Sequence, residues 1–177
     1  MKKKALLIED DKNIRETTSK ILELANYRVK TAENGFLGVQ LAKSFLPDIL
    51  ICDISMPELD GFGVLQIISK IPHLISIPFV FLTTKKTTYT DLRKGMELGA
   101  DDFLRKPFEE SELLRVIESR LKRAEAFKNK NEGLITEIEH VEPHEKHEQH
   151  IQNMIQFLEQ KKYIIMKKER QFIAKEI

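Results

Sequence analysis

With a single cysteine, Cys52, this 177-residue chain has no internal disulfide framework. That cysteine ends an apolar run, residues 49–52, where an inert buried thiol is expected. Charge of one sign is also scarce. The formal net charge is +1, so no overall field draws the chain to nucleic acid or to a membrane. Long hydrophobic runs are missing too: none approaches the roughly 20 residues needed to span a bilayer. The opening is basic, but Glu9, Asp10 and Asp11 cut the apolar stretch behind it to residues 5–8. A secretory signal needs an apolar core of about 7–15 residues. These absences lead us to expect a cytoplasmic protein with no membrane partner.

What is present is the composition of a soluble globular chain, 41% hydrophobic and 32% charged. The length fits one domain of about 120 residues with an appendage. Short apolar runs alternate with longer amphipathic ones. Strands are predicted at 5–8, 28–32, 49–52, 79–82 and 103–104, and helices at 12–25, 36–45, 61–69, 91–98 and 109–122. Asn34-Gly35 reads as a turn before the second helix. Strict alternation of strand and helix implies a parallel sheet with helices on both faces. In open sheets of this kind, ligands bind beyond the carboxyl ends of the strands.

The residues that follow the strands should therefore meet at one edge. They are Glu9, Asp10 and Asp11 after the first strand, Asp53 after the third, Thr83 and Thr84 after the fourth, and Arg105, Lys106 and Pro107 after the fifth. Clustered carboxylates raise one another's pKa unless a cation joins them. Magnesium suits such a cluster, because it takes oxygen ligands and is commonly held by one or two carboxylates plus a phosphate. A carboxylate can itself accept a phosphoryl group as an acyl phosphate. A single acidic residue at a strand end more often caps the next helix, and Asp11 is well placed to do so for residues 12–25. Asp10, Asp53, Thr83 and Lys106 arriving together after four strands point to chemistry.

Four motifs then carry a resemblance: Leu-Leu-Ile-Glu-Asp-Asp at 6–11, Asp-Ile-Ser-Met-Pro-Glu-Leu-Asp-Gly at 53–61, Phe-Leu-Thr-Thr at 81–84, and Gly-Ala-Asp-Asp-Phe-Leu-Arg-Lys-Pro-Phe at 99–108. In this order and spacing the chain resembles the receiver domain of bacterial two-component response regulators, over residues 4–122. The resemblance implies a flavodoxin-like, doubly wound five-stranded parallel sheet in the order 2-1-3-4-5. It implies that Asp53 is the phosphoacceptor, and that Glu9, Asp10, Asp53 and the backbone carbonyl of Ser55 hold Mg2+. Thr83 and Lys106 would contact the phosphoryl group, and the Lys106–Pro107 bond would be cis. Gly61 is expected to supply backbone freedom in the loop over the acceptor. Phe103 stands at an aromatic switch position usually held by tyrosine, where it has no hydroxyl to donate. Thr84 stands where alanine is frequent, and its bulk could alter water access.

The implied partner is a sensor histidine kinase. Phosphorylation would switch the surface of the fourth helix, fourth strand and fifth strand, a helix that Gly95 either loosens or lets pack closely. The protein would not be an enzyme beyond assisting its own phosphorylation and slow dephosphorylation. A phosphorylation-independent receiver-like scaffold is the alternative. An aspartyl phosphatase needs a second acid two residues after the nucleophile, and Lys12 occupies that place.

We divide the chain into a receiver, residues 1–123, and a helical extension, residues 124–177. The extension carries short apolar stripes at Leu134, Ile138 and Val141 and at Ile151, Met154 or Ile155, and Leu158. These could pair in a homodimer, pack on an output domain, or belong to solvated helices. His140, His144, His147 and His150 cluster among glutamates, which favours a solvated segment over a metal site. The last residues, 161–177, read as the start of a further domain. DNA would be a partner only through such an output domain, because no DNA-reading motif is visible.

Overall fold

The computed structural model describes residues 2–84 and 87–139, with side chains through residue 129. Its elements are β1 (Lys4–Ile8), α1 (Lys12–Leu24), β2 (Arg28–Ala32), α2 (Gly35–Phe45), β3 (Ile49–Asp53), α3 (Gly61–Ile68), β4 (Phe79–Thr83), α4 (Tyr89–Glu97), β5 (Asp102–Arg105) and α5 (Glu110–Glu139). All strand pairs are parallel, and the sheet order is β2-β1-β3-β4-β5, as expected.

Strand alternation sorts the core into two layers. Leu6, Ile8, Leu50, Cys52, Phe79 and Phe81 turn to one face and pack on Val39, Ala42 and Phe45 of α2 and on Phe62, Val64, Leu65 and Ile68 of α3. Ala5, Leu7, Ile49, Ile51, Val80, Leu82 and Leu104 turn to the other, against Leu22 of α1 and Leu113, Ile117 and Leu121 of α5. Every residue of β3 and β4 is buried, as a sheet covered on both faces requires. The edge strand β2 exposes Arg28, Lys30 and Thr31, polar side chains that discourage pairing with another chain.

Side-chain caps set where the helices start. Asp11 accepts from the backbone of Asn13 at 2.8 Å and Ile14 at 3.0 Å, so capping is its observed role. Asn34 accepts from Leu37 at 2.9 Å, which makes the expected Asn34-Gly35 turn the cap and first residue of α2. Thr88 and Asp91 form a reciprocal capping box, so α4 begins at Tyr89 and not at Asp91. Gly61 corrects another expectation. Among the described glycines only Gly99 has positive φ, so Gly61 is not needed for unusual torsions. Its need is steric: a Cβ there would run into the carbonyl oxygen of Asp53 and lie 3.0 Å from Ile54 Cα.

Helix α5 continues past residue 122 to Glu139, and the compact unit that carries the sheet extends to Asn129. The apolar stripes from Leu134 onward and the four histidines at 140–150 lie outside the residues whose side chains are described. Among the described residues, no helix is long and apolar enough to cross a membrane.

Candidate functional site

Four strand ends deliver the site. Glu9 and Asp10 follow β1 directly, Asp53 is the last residue of β3, Thr83 is the last of β4, and Lys106 follows β5. Asp53 and Thr83 sit within the ladder, one residue beyond the apolar runs, so the sheet itself fixes their backbones. The carboxylates of Glu9, Asp10 and Asp53 each offer an oxygen within 4.8 Å of the others. Glu9 is 1% exposed and Asp53 2%, whereas Asp10 faces solvent.

Burying two carboxylates side by side is costly unless cations or donors compensate. Lys106 supplies one charge to both. Its Nζ donates to Glu9 Oε2 at 2.9 Å and lies 2.7 Å from Asp53 Oδ1. The backbone N–H of Ser55 donates to Asp53 Oδ2 at 3.1 Å, and that of Asp11 to Glu9 Oε1 at 3.3 Å. Burial raises the Glu9 pKa, and this outweighs the opposing hydrogen bond from Lys106. For Lys106, burial pulls the pKa down, but contact with Asp53 and Glu9 more than reverses it, so the ammonium is held protonated. Burial pushes the Cys52 thiol well above its ordinary range, the inert behaviour expected of it.

The set fits a hard cation. All three ligands are carboxylate oxygens, and Asp53 Oδ1 is buried with the ammonium close by but no donor aimed at it in hydrogen-bond geometry. Octahedral magnesium with bonds of about 2.1 Å spaces its ligand oxygens roughly 3–4 Å apart, inside the 4.8 Å limit within which the three oxygens lie.

The remaining expected residues surround this cluster. Thr83 is buried, and its carbonyl accepts from the Lys106 backbone N–H at 2.7 Å, which ties β4 to the lysine. The Thr84 N–H bonds to Thr87 Oγ1 at 3.2 Å. The Lys106–Pro107 peptide is cis. Ser55 is exposed beside Asp53. The Phe103 ring stacks on Phe81 with centroids 5.4 Å apart. It fills space under α4 that exists because residue 95 is glycine: a Cβ there would lie 2.7 Å from Phe103 Cζ. Gly95 thus permits close packing. Arg15 is a further contact that the sequence motifs do not single out. Its Nη1 donates to the carbonyls of both Glu9 and Asp10, at 2.7 and 2.9 Å. The available signal was a cation in the first turn of a helix, where the dipole disfavours positive charge.

The family model described as the response regulator receiver domain matches residues 5–118. A probable transcriptional regulator, ycf27, of Guillardia theta is 38% identical over 122 residues, 69% of this chain and 46% of that protein. The chain spans about half the length of the curated relatives it matches. A putative response regulator from Chloroflexus aurantiacus superposes with TM-score 0.65 at 31% identity, covering 69% of this chain and 99% of that one. The receiver domain of sensor histidine kinase PA1611 from Pseudomonas aeruginosa has a magnesium ion coordinated in its active site cleft. It superposes with TM-score 0.64 at 25% identity, over 69% and 99% of the two chains. Fold, strand-end chemistry and family match converge: this chain belongs to the response regulator receiver family of two-component systems.

Proposed function

We propose that Asp53 accepts a phosphoryl group from a sensor histidine kinase in a magnesium-dependent reaction. The observation that carries this reading is the Lys106 ammonium shared by two buried carboxylates beside a third acid. An Asp53 oxygen attacks the phosphorus of a phosphohistidine. The O–P bond forms as the P–N bond breaks, and the imidazole leaves with the electron pair. Glu9, Asp10, Asp53 and the carbonyl of Ser55 would hold magnesium, an ion that the Pseudomonas receiver coordinates in its active site cleft. When bound, the ion neutralises charge on the transferring group. Lys106 pairs with a phosphoryl oxygen, and the Thr83 hydroxyl donates to another. Both gain partners that exist only in the phosphorylated state. That difference biases the α4, β4 and β5 surface between two arrangements, with Phe103 under Gly95 as the packing element that would respond.

Residues 1–123 act as the receiver, and residues 124–177 as the connection that carries the change onward. The likeness to proteins named as transcriptional regulators supports a DNA-binding output module as the target, with self-association through the extension as one way to transmit the signal.

Incubation with acetyl phosphate and magnesium tests this reading by intact-mass spectrometry. A hydroxylamine-labile phosphoryl adduct that Asp53→Asn abolishes supports it. No adduct points to a scaffold that works without phosphorylation, and rapid multiple turnover to a phosphatase.

A further inference from the structure

The carbonyls of Glu9 and Asp10 lie just past the end of β1, beyond the last ladder pairs of Ile8 with Ala32 and with Cys52. Backbone acceptors there need partners from outside the sheet. Arg15 provides them with a single nitrogen, Nη1, in two charge-assisted bonds of 2.7 and 2.9 Å. The side chain is 15% exposed and folds back from α1 onto the acidic segment. Its other contact, Nη2 to Glu33 at 3.9 Å, joins it to an exposed carboxylate and holds little.

We infer that Arg15 is a positioning residue for the cation site. It clamps the backbone that carries Glu9 and Asp10, so that both carboxylates are presented to Asp53. The inference rests on the proposed role of these three acids as cation ligands. Glu9 has further anchors, its N–H on the Ala32 carbonyl at 3.0 Å and its Oε2 on Lys106. Asp10 is exposed, and the backbone from which its carboxylate reaches toward Asp53 is the one that Arg15 holds. Partners in the outer shell of a metal site fix the ligands in this way, and losing one typically weakens metal affinity about 10–100-fold.

The sign of the effect separates this role from simple electrostatics. Arg15 places a positive charge beside a cation site, and by Coulomb's law alone its removal would tighten cation binding. A clamp predicts the opposite. Isothermal titration of the full chain with Mg2+ should show Arg15→Met, which keeps the apolar stem, binding at least about tenfold more weakly. Arg15→Gln, whose amide can still donate one bond, should fall between and serves if the methionine variant does not fold. Glu33→Gln removes only the distant ion pair and should bind like wild type. A folded Arg15 variant that binds Mg2+ as tightly as wild type, or more tightly, overturns the inference, whatever happens to its Tm in EDTA. A wild-type chain that binds no Mg2+ overturns the cation site itself, and the inference with it.

Discussion

Replacing Lys106 with methionine tests the electrostatics of the site without any ligand. The side chain keeps most of its length and loses its charge. In the folded protein that charge sits 2.7 Å from Asp53 and 2.9 Å from Glu9, on a side chain only 13% exposed. At such separations and an effective dielectric of about 20, each contact is roughly 6 kcal/mol of Coulomb attraction. Desolvation of the ammonium and repulsion between the two acids cancel most of the total. Measured losses on breaking buried pairs are about 3–5 kcal/mol, because the orphaned charge stays buried. Two acids are orphaned here, although the adjustable protonation of Glu9 relieves part of the cost. We therefore expect Lys106→Met to lower unfolding free energy by about 3 kcal/mol at neutral pH in EDTA, with Tm lower by roughly 10 °C. Urea titration followed by circular dichroism measures it. The deficit should shrink as pH falls from neutrality, because Glu9, its pKa raised by burial, takes up a proton in place of the lost ammonium. Adding Glu9→Gln to Lys106→Met should recover at least about 1 kcal/mol, as a double-mutant cycle with shared partners requires. If Lys106→Met in EDTA is as stable as wild type at neutral pH, the claim that this ammonium balances two buried acids is wrong.

Other consequences can be measured on the same unfolding curves. Gly61→Ala improves helix propensity but drives a methyl into the carbonyl oxygen of Asp53, so it should cost about 1–3 kcal/mol, and a stabilised variant would refute the close approach. Thr88→Ala removes the capping box of α4 and should cost about 1 kcal/mol, read as lower urea midpoint and faster amide exchange in that helix. The raised pKa of Glu9 means that the folded chain keeps a proton the unfolded chain has already released. Its contribution to stability is complete below the unfolded value of about 4.5 and is lost as pH rises through the folded one. Wild type should therefore lose stability relative to Glu9→Gln as pH rises above about 4.5, and parallel curves would contradict this.

Much of the architecture was legible because strands buried on both faces leave uninterrupted apolar runs. Residues 49–52 and 79–82 are such runs, and the sheet forms there. Hydropathy stops one residue short, however. Asp53 and Thr83 are polar yet belong to the strands, because backbone hydrogen bonding does not end where apolar side chains do. The half-exposed β5 shows the same effect on a weaker signal: Asp102 and Arg105 flank a two-residue apolar core. The start of α4, two residues ahead of the expected start at residue 91, is set by Thr88 and Asp91, a capping box whose pattern is present in the sequence. Site contacts between side chains were less legible. Motif positions brought Glu9 and Lys106 to one edge, but their direct hydrogen bond joins residues 97 apart and depends on rotamers. Gly61 looked torsional and proved steric, a distinction only neighbouring atoms can make.

On the proposed reading, a divalent ion and the Lys106 ammonium together hold a phosphoryl group on Asp53. A crystal structure of the chain with magnesium and beryllofluoride, a phosphoryl mimic, decides this. The expected result is a fluoroberyllate bonded to an Asp53 carboxylate oxygen, with Lys106 Nζ moved from Glu9 to a fluorine and the ion bound by Glu9, Asp10 and Asp53. An adduct on another residue, or an Asp53 left bare with Lys106 still on Glu9 at saturating ligand, would contradict it.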